Sequence, residues 1–224
     1  LPELRNPHAL ATLRPWVDIG SVGNLGLGQL EQHLGVKPLG HLARPGNFFD
    51  FTRYRPTIFT SENQRLVAIP NSSISYSQRP EGNDFLFLHL LEPHAFGEDY
   101  VDSVLSVLEK LQVKRYCLLG AMYDMVPHTR PLRVTGSATG AEAEEALKRV
   151  DIKASTYQGP TTIMALLSQE ATKRQMATMS MIVHLPQYTP LDEDYAGELC
   201  LLRILCTIYG LTMDFNDIEQ KASN

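Results

Sequence analysis

Residues 85–91 read Phe85-Leu86-Phe87-Leu88-His89-Leu90-Leu91, and residues 116–119 read Tyr116-Cys117-Leu118-Leu119, with the stretch Glu98 to Leu111 between them. The flanking runs are short, continuous and apolar, the pattern of strands covered on both faces. Between them Val101, Val104, Leu105, Leu108 and Leu111 recur at helical spacing and draw one apolar stripe. Strand, helix and strand in this order make a βαβ unit, whose crossover is expected to be right-handed. The α/β class follows from it.

Working toward the amino terminus, His8 to Trp16 reads as a first strand, with Ala9-Leu10-Ala11-Thr12-Leu13 running into Trp16-Val17-Asp18-Ile19-Gly20. Gly20, Gly23, Gly26 and Gly28 lead into a helix whose Leu27, Leu30 and Leu34 share a face, and Gly35 is placed to end it. Residues 36–55 read as irregular or edge structure. The runs from Thr57 to Thr60 and from Arg65 to Ile69 flank Ser61-Glu62-Asn63-Gln64, a spacer of hairpin length. Pro70 to Asn83 reads as a polar surface turn.

Toward the carboxyl terminus the sequence predicts a long loop from Gly120 to Pro131, a short strand at Leu132-Arg133-Val134-Thr135, and a helix from Ala141 to Arg149. A strand near Lys153 to Tyr157 follows, then a helix opened by Gly159-Pro160, and a last strand from Met176 to Leu185. Asp192 to Tyr209 is the longest predicted helix, acidic at its start and followed by Gly210. It is apolar around most of its girth, which implies deep burial or a subunit interface. No repeat or linker interrupts the chain, so one domain over residues 1–224 is expected.

Composition narrows the function classes. With 224 residues, 43% hydrophobic and 20% charged, the chain can bury a sizeable core without disulfides. Its net charge of −5 and scattered basic residues argue against nucleic acid as a partner. Cys117, Cys200 and Cys206 show no metal spacing, and no run reaches the about 20 apolar residues of a membrane span. The start, Leu1-Pro2-Glu3-Leu4-Arg5, has no secretory pattern, and the cytoplasm is the expected compartment.

Ligands of open α/β sheets sit at the carboxyl ends of the strands. The polar residues there are Asp18, Glu92, His94, Tyr123, Asp124, His128, Arg130, Gln187 and Tyr188. One reading makes Asp18, Glu92 or Asp124 a general base and lets Arg130 orient a carboxylate or phosphate, with Gly20, Asn24 and Tyr188 completing a ligand site. A plainer reading has these side chains capping helices and fixing turns. The turn from Gly20 to Gly28 opens a helix as an anion cradle would, yet it lacks the Gly-x-Gly-x-x-Gly and Gly-Lys-Ser/Thr fingerprints. His89, alternating in an apolar strand, reads as a core histidine, and Cys117 as a buried thiol of low reactivity. No metal or cofactor is predicted.

Several segments, in order and spacing, resemble the proteasome-assembly-chaperone family. They are Trp16-Val17-Asp18-Ile19-Gly20, Asp50-Phe51 with Arg55-Pro56, Leu91-Glu92-Pro93 and Leu118-Leu119-Gly120-Ala121. Arg130-Pro131 through Val134-Thr135-Gly136-Ser137, Gly159-Pro160-Thr161 and Leu185-Pro186-Gln187-Tyr188 complete the set. The resemblance implies a three-layer α/β/α sandwich around a mostly parallel, mixed sheet, similar to the phosphorylase and hydrolase folds. It also implies a homo-oligomer, with trimers among the relatives, and a non-enzymatic role in assembly through protein partners. Relatives labelled as ATP-dependent carboxylate-amine ligases supply the alternative, a small-molecule binder or enzyme using the strand-end cleft. Three departures stand out. Thr162 replaces a glycine of the family's Gly-Pro-Thr-Gly, Gln187 replaces the histidine of Pro-His-Tyr, and the end Lys221-Ala222-Ser223-Asn224 lacks the hydrophobic-Tyr tail by which some relatives dock on proteasomes.

Overall fold

The computed structural model describes every residue except His128, Thr189 and Asn224. In chain order the elements begin β1 (His8–Arg14), α1 (Val22–Leu34), β2 (Lys37–His41), β3 (Thr57–Ser61), β4 (Gln64–Ala68) and β5 (Ser73–Ser77). They continue β6 (Phe85–Leu91), α2 (Gly97–Lys110), β7 (Arg115–Asp124), β8 (Arg133–Thr139) and α3 (Ala141–Arg149). The chain closes with β9 (Lys153–Ala154), α4 (Ile163–Lys173), β10 (Ala177–Pro186), α5 (Tyr195–Tyr209) and α6 (Asn216–Ala222).

The continuous apolar runs become the centre of an eight-stranded sheet of order β2-β5-β6-β1-β7-β10-β8-β9. Its four middle strands, β6, β1, β7 and β10, are parallel. The antiparallel partners β5 and β8 lie outside them. The expected βαβ unit therefore encloses β1 between its two strands. Residues of α2 and α4 form one core with one face of the sheet, and those of α1, α3, α5 and α6 form a second core with the other. This is the three-layer α/β/α sandwich with a mixed, mostly parallel sheet.

Several boundaries differ from the sequence reading, each for a local reason. The polar stretch 70–83 contains β5, a strand between β2 and β6, because Ile74 and Tyr76 alternate with serines and pack on the core. Residues 36–55, expected to be irregular or edge structure, do include the edge strand β2. The loop expected from Gly120 begins only after Asp124, since β10 pairs with β7 all the way to Pro186. The helix expected at Gly159-Pro160 starts at Ile163, where the Thr162 hydroxyl accepts from the backbone N–H of Met164 at 3.3 Å. The last long helix starts at Tyr195, capped by Asp194, whose carboxylate accepts from Gly197 N at 2.7 Å.

One apolar stripe of α5 is buried inside the subunit, while Leu199, Cys200, Ile204, Cys206 and Ile208 on its flanks remain half-buried. Leu201, Leu202 and Leu205 are fully buried, and the helix packs on α1, α6 and β10. The hairpin β3–β4 is the opposite case. It forms a separate two-stranded sheet, and every one of its strand residues is exposed. Glu62 and Asn63, both at positive φ (49° and 62°), make its two-residue turn, tighter than the four-residue spacer expected from the sequence.

Candidate functional site

The parallel strands end at a cleft of about 860 Å³. Its floor is the β7–β10–β8 face that α4 leaves uncovered, with Leu118, Met122, Thr135, Ser137, Ser180 and Ile182. One wall is the segment after β1, Trp16 and Val17; the other is Tyr157, Pro160 and the start of α4. The first wall lies hard against the floor. The Val17 carbonyl accepts from Ala121 N at 3.1 Å, and a Cβ on Gly120 would sit 2.0 Å from the Val17 oxygen, so only glycine fits there. Val17 adopts φ 64°, a strained conformation for a β-branched residue.

Of the sequence candidates, Glu92 and Tyr123 line this cleft. Glu92 is engaged structurally, accepting from the backbone N–H of Ile163 at 3.0 and 3.3 Å and so tying the end of β6 to the start of α4. Burial raises its pKa, against the lowering effect of that hydrogen bond.

Asp18 turns to the other layer. It is 9% exposed, and its carboxylate accepts from Gly23 N at 2.5 Å, Asn24 N at 3.1 Å and Asn24 Nδ2 at 2.6 Å. Burial raises its pKa and these bonds offset part of the rise. The anion cradle suggested by the glycine turn is thus filled by the chain's own carboxylate. Gly23 is required by packing, since a Cβ there would meet the Leu119 oxygen at 2.8 Å. Gly20, at φ 63°, accepts from Asp194 N at 2.8 Å and anchors the start of α5.

Asn24 carries the network onward. Its Oδ1 accepts from the Thr12 hydroxyl at 3.2 Å and lies 3.3 Å from His89 Nδ1. His89 Nε2 pairs with Glu31 at 2.9 Å, and Ser75 donates to the same carboxylate at 2.8 Å. Burial pushes Glu31 up, but the bonds from His89 and Ser75 prevail and leave its pKa lowered. His89 is a satisfied, partly buried histidine, as its alternation suggested. Cys117 is fully buried, which pushes its thiol up to about 12.

Arg130 and Tyr188 are exposed and do not line the cleft, and His94, also exposed, accepts from Asp50 N at 3.0 Å. His128 and Asn224 lie outside the described residues. Among the described residues the candidates therefore do not converge on one site.

Asp124 has partners that the sequence did not reveal. Its Oδ2 lies 2.8 Å from His184 Nδ1, and His184 Nε2 lies 2.8 Å from the Thr135 hydroxyl. A carboxylate can only accept, so Nδ1 carries the proton and the opposite nitrogen of a neutral ring faces the hydroxyl. The His184 bond, aided by Met125 N, holds the Asp124 carboxyl below its usual range. His184 and Thr135 are 6% and 4% exposed, and Thr135 forms part of the cleft floor. Both residues read from sequence as ordinary strand positions; the signal was a histidine and a threonine on one face of the sheet, legible only once the β8–β10 register is known.

The model of the PAC2 family matches residues 12–224. The fold matches the PAC2 family protein of Streptomyces avermitilis with a TM-score of 0.86 and 21% identity, covering 97% of this chain and 92% of that one. It matches the proteasome-assembly chaperone homologue of Mycobacterium tuberculosis with a TM-score of 0.84 and 21% identity, over 96% and 91%. The archaeal proteasome activator of Pyrococcus furiosus matches at 0.75 and 16% identity, over 100% and 91%. No curated protein matches. The family match runs from the middle of β1 through α6, and on it the chain belongs to the PAC2 family.

Proposed function

We propose that this protein is an assembly-chaperone-like scaffold that acts without catalysis, as a homo-oligomer, through protein contacts. The observation that carries this reading is the β3–β4 hairpin. Ile58 and Val67 pair on one side and Phe59 and Leu66 on the other, all at least 41% exposed. A lone two-stranded hairpin is marginal in water, and exposed apolar area on both of its sides is surface built for another surface. A second copy of this chain is the first occupant, with a trimer the expected form, and a proteasome component is the expected further partner by likeness to the named relatives.

Multi-angle light scattering on the wild type and an Ile58→Asp/Val67→Asp variant tests this. A wild-type oligomer that falls to a folded monomer in the variant supports the reading; a wild type that is monomeric at tens of micromolar sinks it.

A small molecule in the cleft is the second reading, favoured by the Asp124–His184–Thr135 line, which ends at the cleft floor as a proton-transfer chain would. A thermal-shift screen in which one ligand class stabilises the wild type but not His184→Gln supports it. No such ligand across nucleotides, nucleosides and amino acids argues against it.

A further inference from the structure

At the amino-terminal ends of the parallel strands, away from the cleft, His8 opens β1, Arg115 opens β7 and Tyr209 closes α5. The three meet in one buried cluster. Arg115 Nη2 donates to the Tyr209 hydroxyl at 3.0 Å, and that hydroxyl lies 2.9 Å from His8 Nδ1. The Arg115 guanidinium also lies 5.5 Å from the centre of the Tyr209 ring. Burial, followed by the neighbouring guanidinium, brings the His8 pKa down to about 3, so its ring is neutral near pH 7. A neutral ring accepts from the hydroxyl, which in turn accepts from Arg115. The hydrogen bonds agree with one another, and the cluster keeps one full positive charge.

No described carboxylate forms an ion pair with that charge. Arg115 is 6% exposed, its Nε has no hydrogen-bond partner, and no ion pair with it occurs among the described residues. A buried guanidinium without a counter-charge is strongly unfavourable, because desolvation is not offset. Beside it opens a cavity of about 460 Å³, lined by Arg115, His8 and Tyr209 together with Asn6, Asn83 and one side of α3. That side of α3 brings a second cation, Arg149, and the helix start, where Gly140 offers no side-chain cap. Glu142 and Glu145 stand on the same wall, but both are exposed and neither pairs with Arg115.

We infer that this cavity binds a small oxyanion, the carboxylate or phosphate group of a small molecule, held against the Arg115 guanidinium. The guanidinium fork suits both groups. The inference stands apart from the hairpin and the strand-end cleft, and survives the failure of either reading.

Thermal melting and calorimetry with inorganic phosphate, and separately with succinate, test it against chloride at matched ionic strength. The wild type is expected to bind at least one of the two saturably and to gain several degrees in Tm; response to one alone names the anion class. Arg115→Met is expected to abolish the response and to melt no lower than the anion-free wild type, because an uncompensated charge has been removed. Tyr209→Phe takes away the acceptor of Nη2 and is expected to enlarge the response, which keeps the question decidable should Arg115→Met fail to fold. A wild type that answers phosphate and succinate no differently from chloride overturns the inference, and so does a response retained in Arg115→Met or one left unchanged in Tyr209→Phe.

Discussion

Strand β6 and the hairpin β3–β4 both carry leucine and phenylalanine, with isoleucine and valine added in the hairpin, and they meet opposite fates. Phe85, Leu86, Phe87 and Leu88 are at most 1% exposed, whereas Ile58 and Val67 are 56% and 59% exposed. The difference lies in neighbours. Strand β6 has β5 and β1 at its edges and a helical layer on each face; each hairpin strand has only its partner. Apolar sequence therefore demands a cover but does not say whether it comes from the same chain. In β6 the subunit supplies it, and in the hairpin the subunit leaves the strands exposed.

The largest effect that checks this contrast is at Phe87. Phe87→Ala is expected to remove about 3–5 kcal/mol from the unfolding free energy in urea, the usual range for truncating a buried aromatic. A cost near that of an exposed site would mean the β6 core is far looser than its burial implies.

Second in size is Asp18→Ala, which strands the N–H groups of Gly23 and Asn24 at the buried start of α1. A loss of about 1–3 kcal/mol is expected in the same assay. Asp18→Asn, which keeps one acceptor, is expected to recover part of it.

Third is an acid sensitivity confined to the buried side. The folded pKa of His8, about 3, lies below its ordinary 6.5, so the unfolded chain takes up the proton first as pH falls. The stability tied to His8 is complete above the unfolded value and is lost as pH drops toward the folded one. Between these two values the loss is on the order of 1 kcal/mol per pH unit. Urea unfolding from pH 7 to pH 5 is expected to show a shallower decline in His8→Gln than in the wild type; parallel curves would show that His8 is not the group responsible.

Smallest is the hairpin itself. Ile58→Ala is expected to change the stability of the dilute monomer by no more than about 0.5 kcal/mol, as for an exposed site. A cost matching that of Phe87→Ala would erase the contrast, because it would show that the subunit itself buries Ile58.

Legibility followed how local each signal was. The continuous runs in β6 and β7 and the stripe of α2 announced themselves, because full burial on both faces leaves little room for polar residues. β5 did not, because Ser73, Ser75 and Ser77 disguise its alternation; Ser75 is polar because it donates to Glu31 of helix α1. Among the site residues, Asp18 and Glu92 were visible as carboxylates at strand ends. Their engagement was not visible, since their partners belong to helix starts placed by the packing of α1 and α4. Asp124 was visible as a candidate, but its histidine lies 60 residues away, on β10.

The order of residues alone carried the class, the strand and helix runs of the core, and a resemblance that the family match upholds. These rest on burial periodicity and turn chemistry, which act between residues a few positions apart. Which polar residues meet emerged only from the packed fold. Asp124, His184 and Thr135 come together through the register of three strands, and His8, Arg115 and Tyr209 through the docking of α5 beside the starts of β1 and β7. The reason is physical. A side chain's charge and hydrogen bonds depend on neighbours within a few ångströms in space, and in this fold those neighbours lie 49 to 201 positions away along the chain.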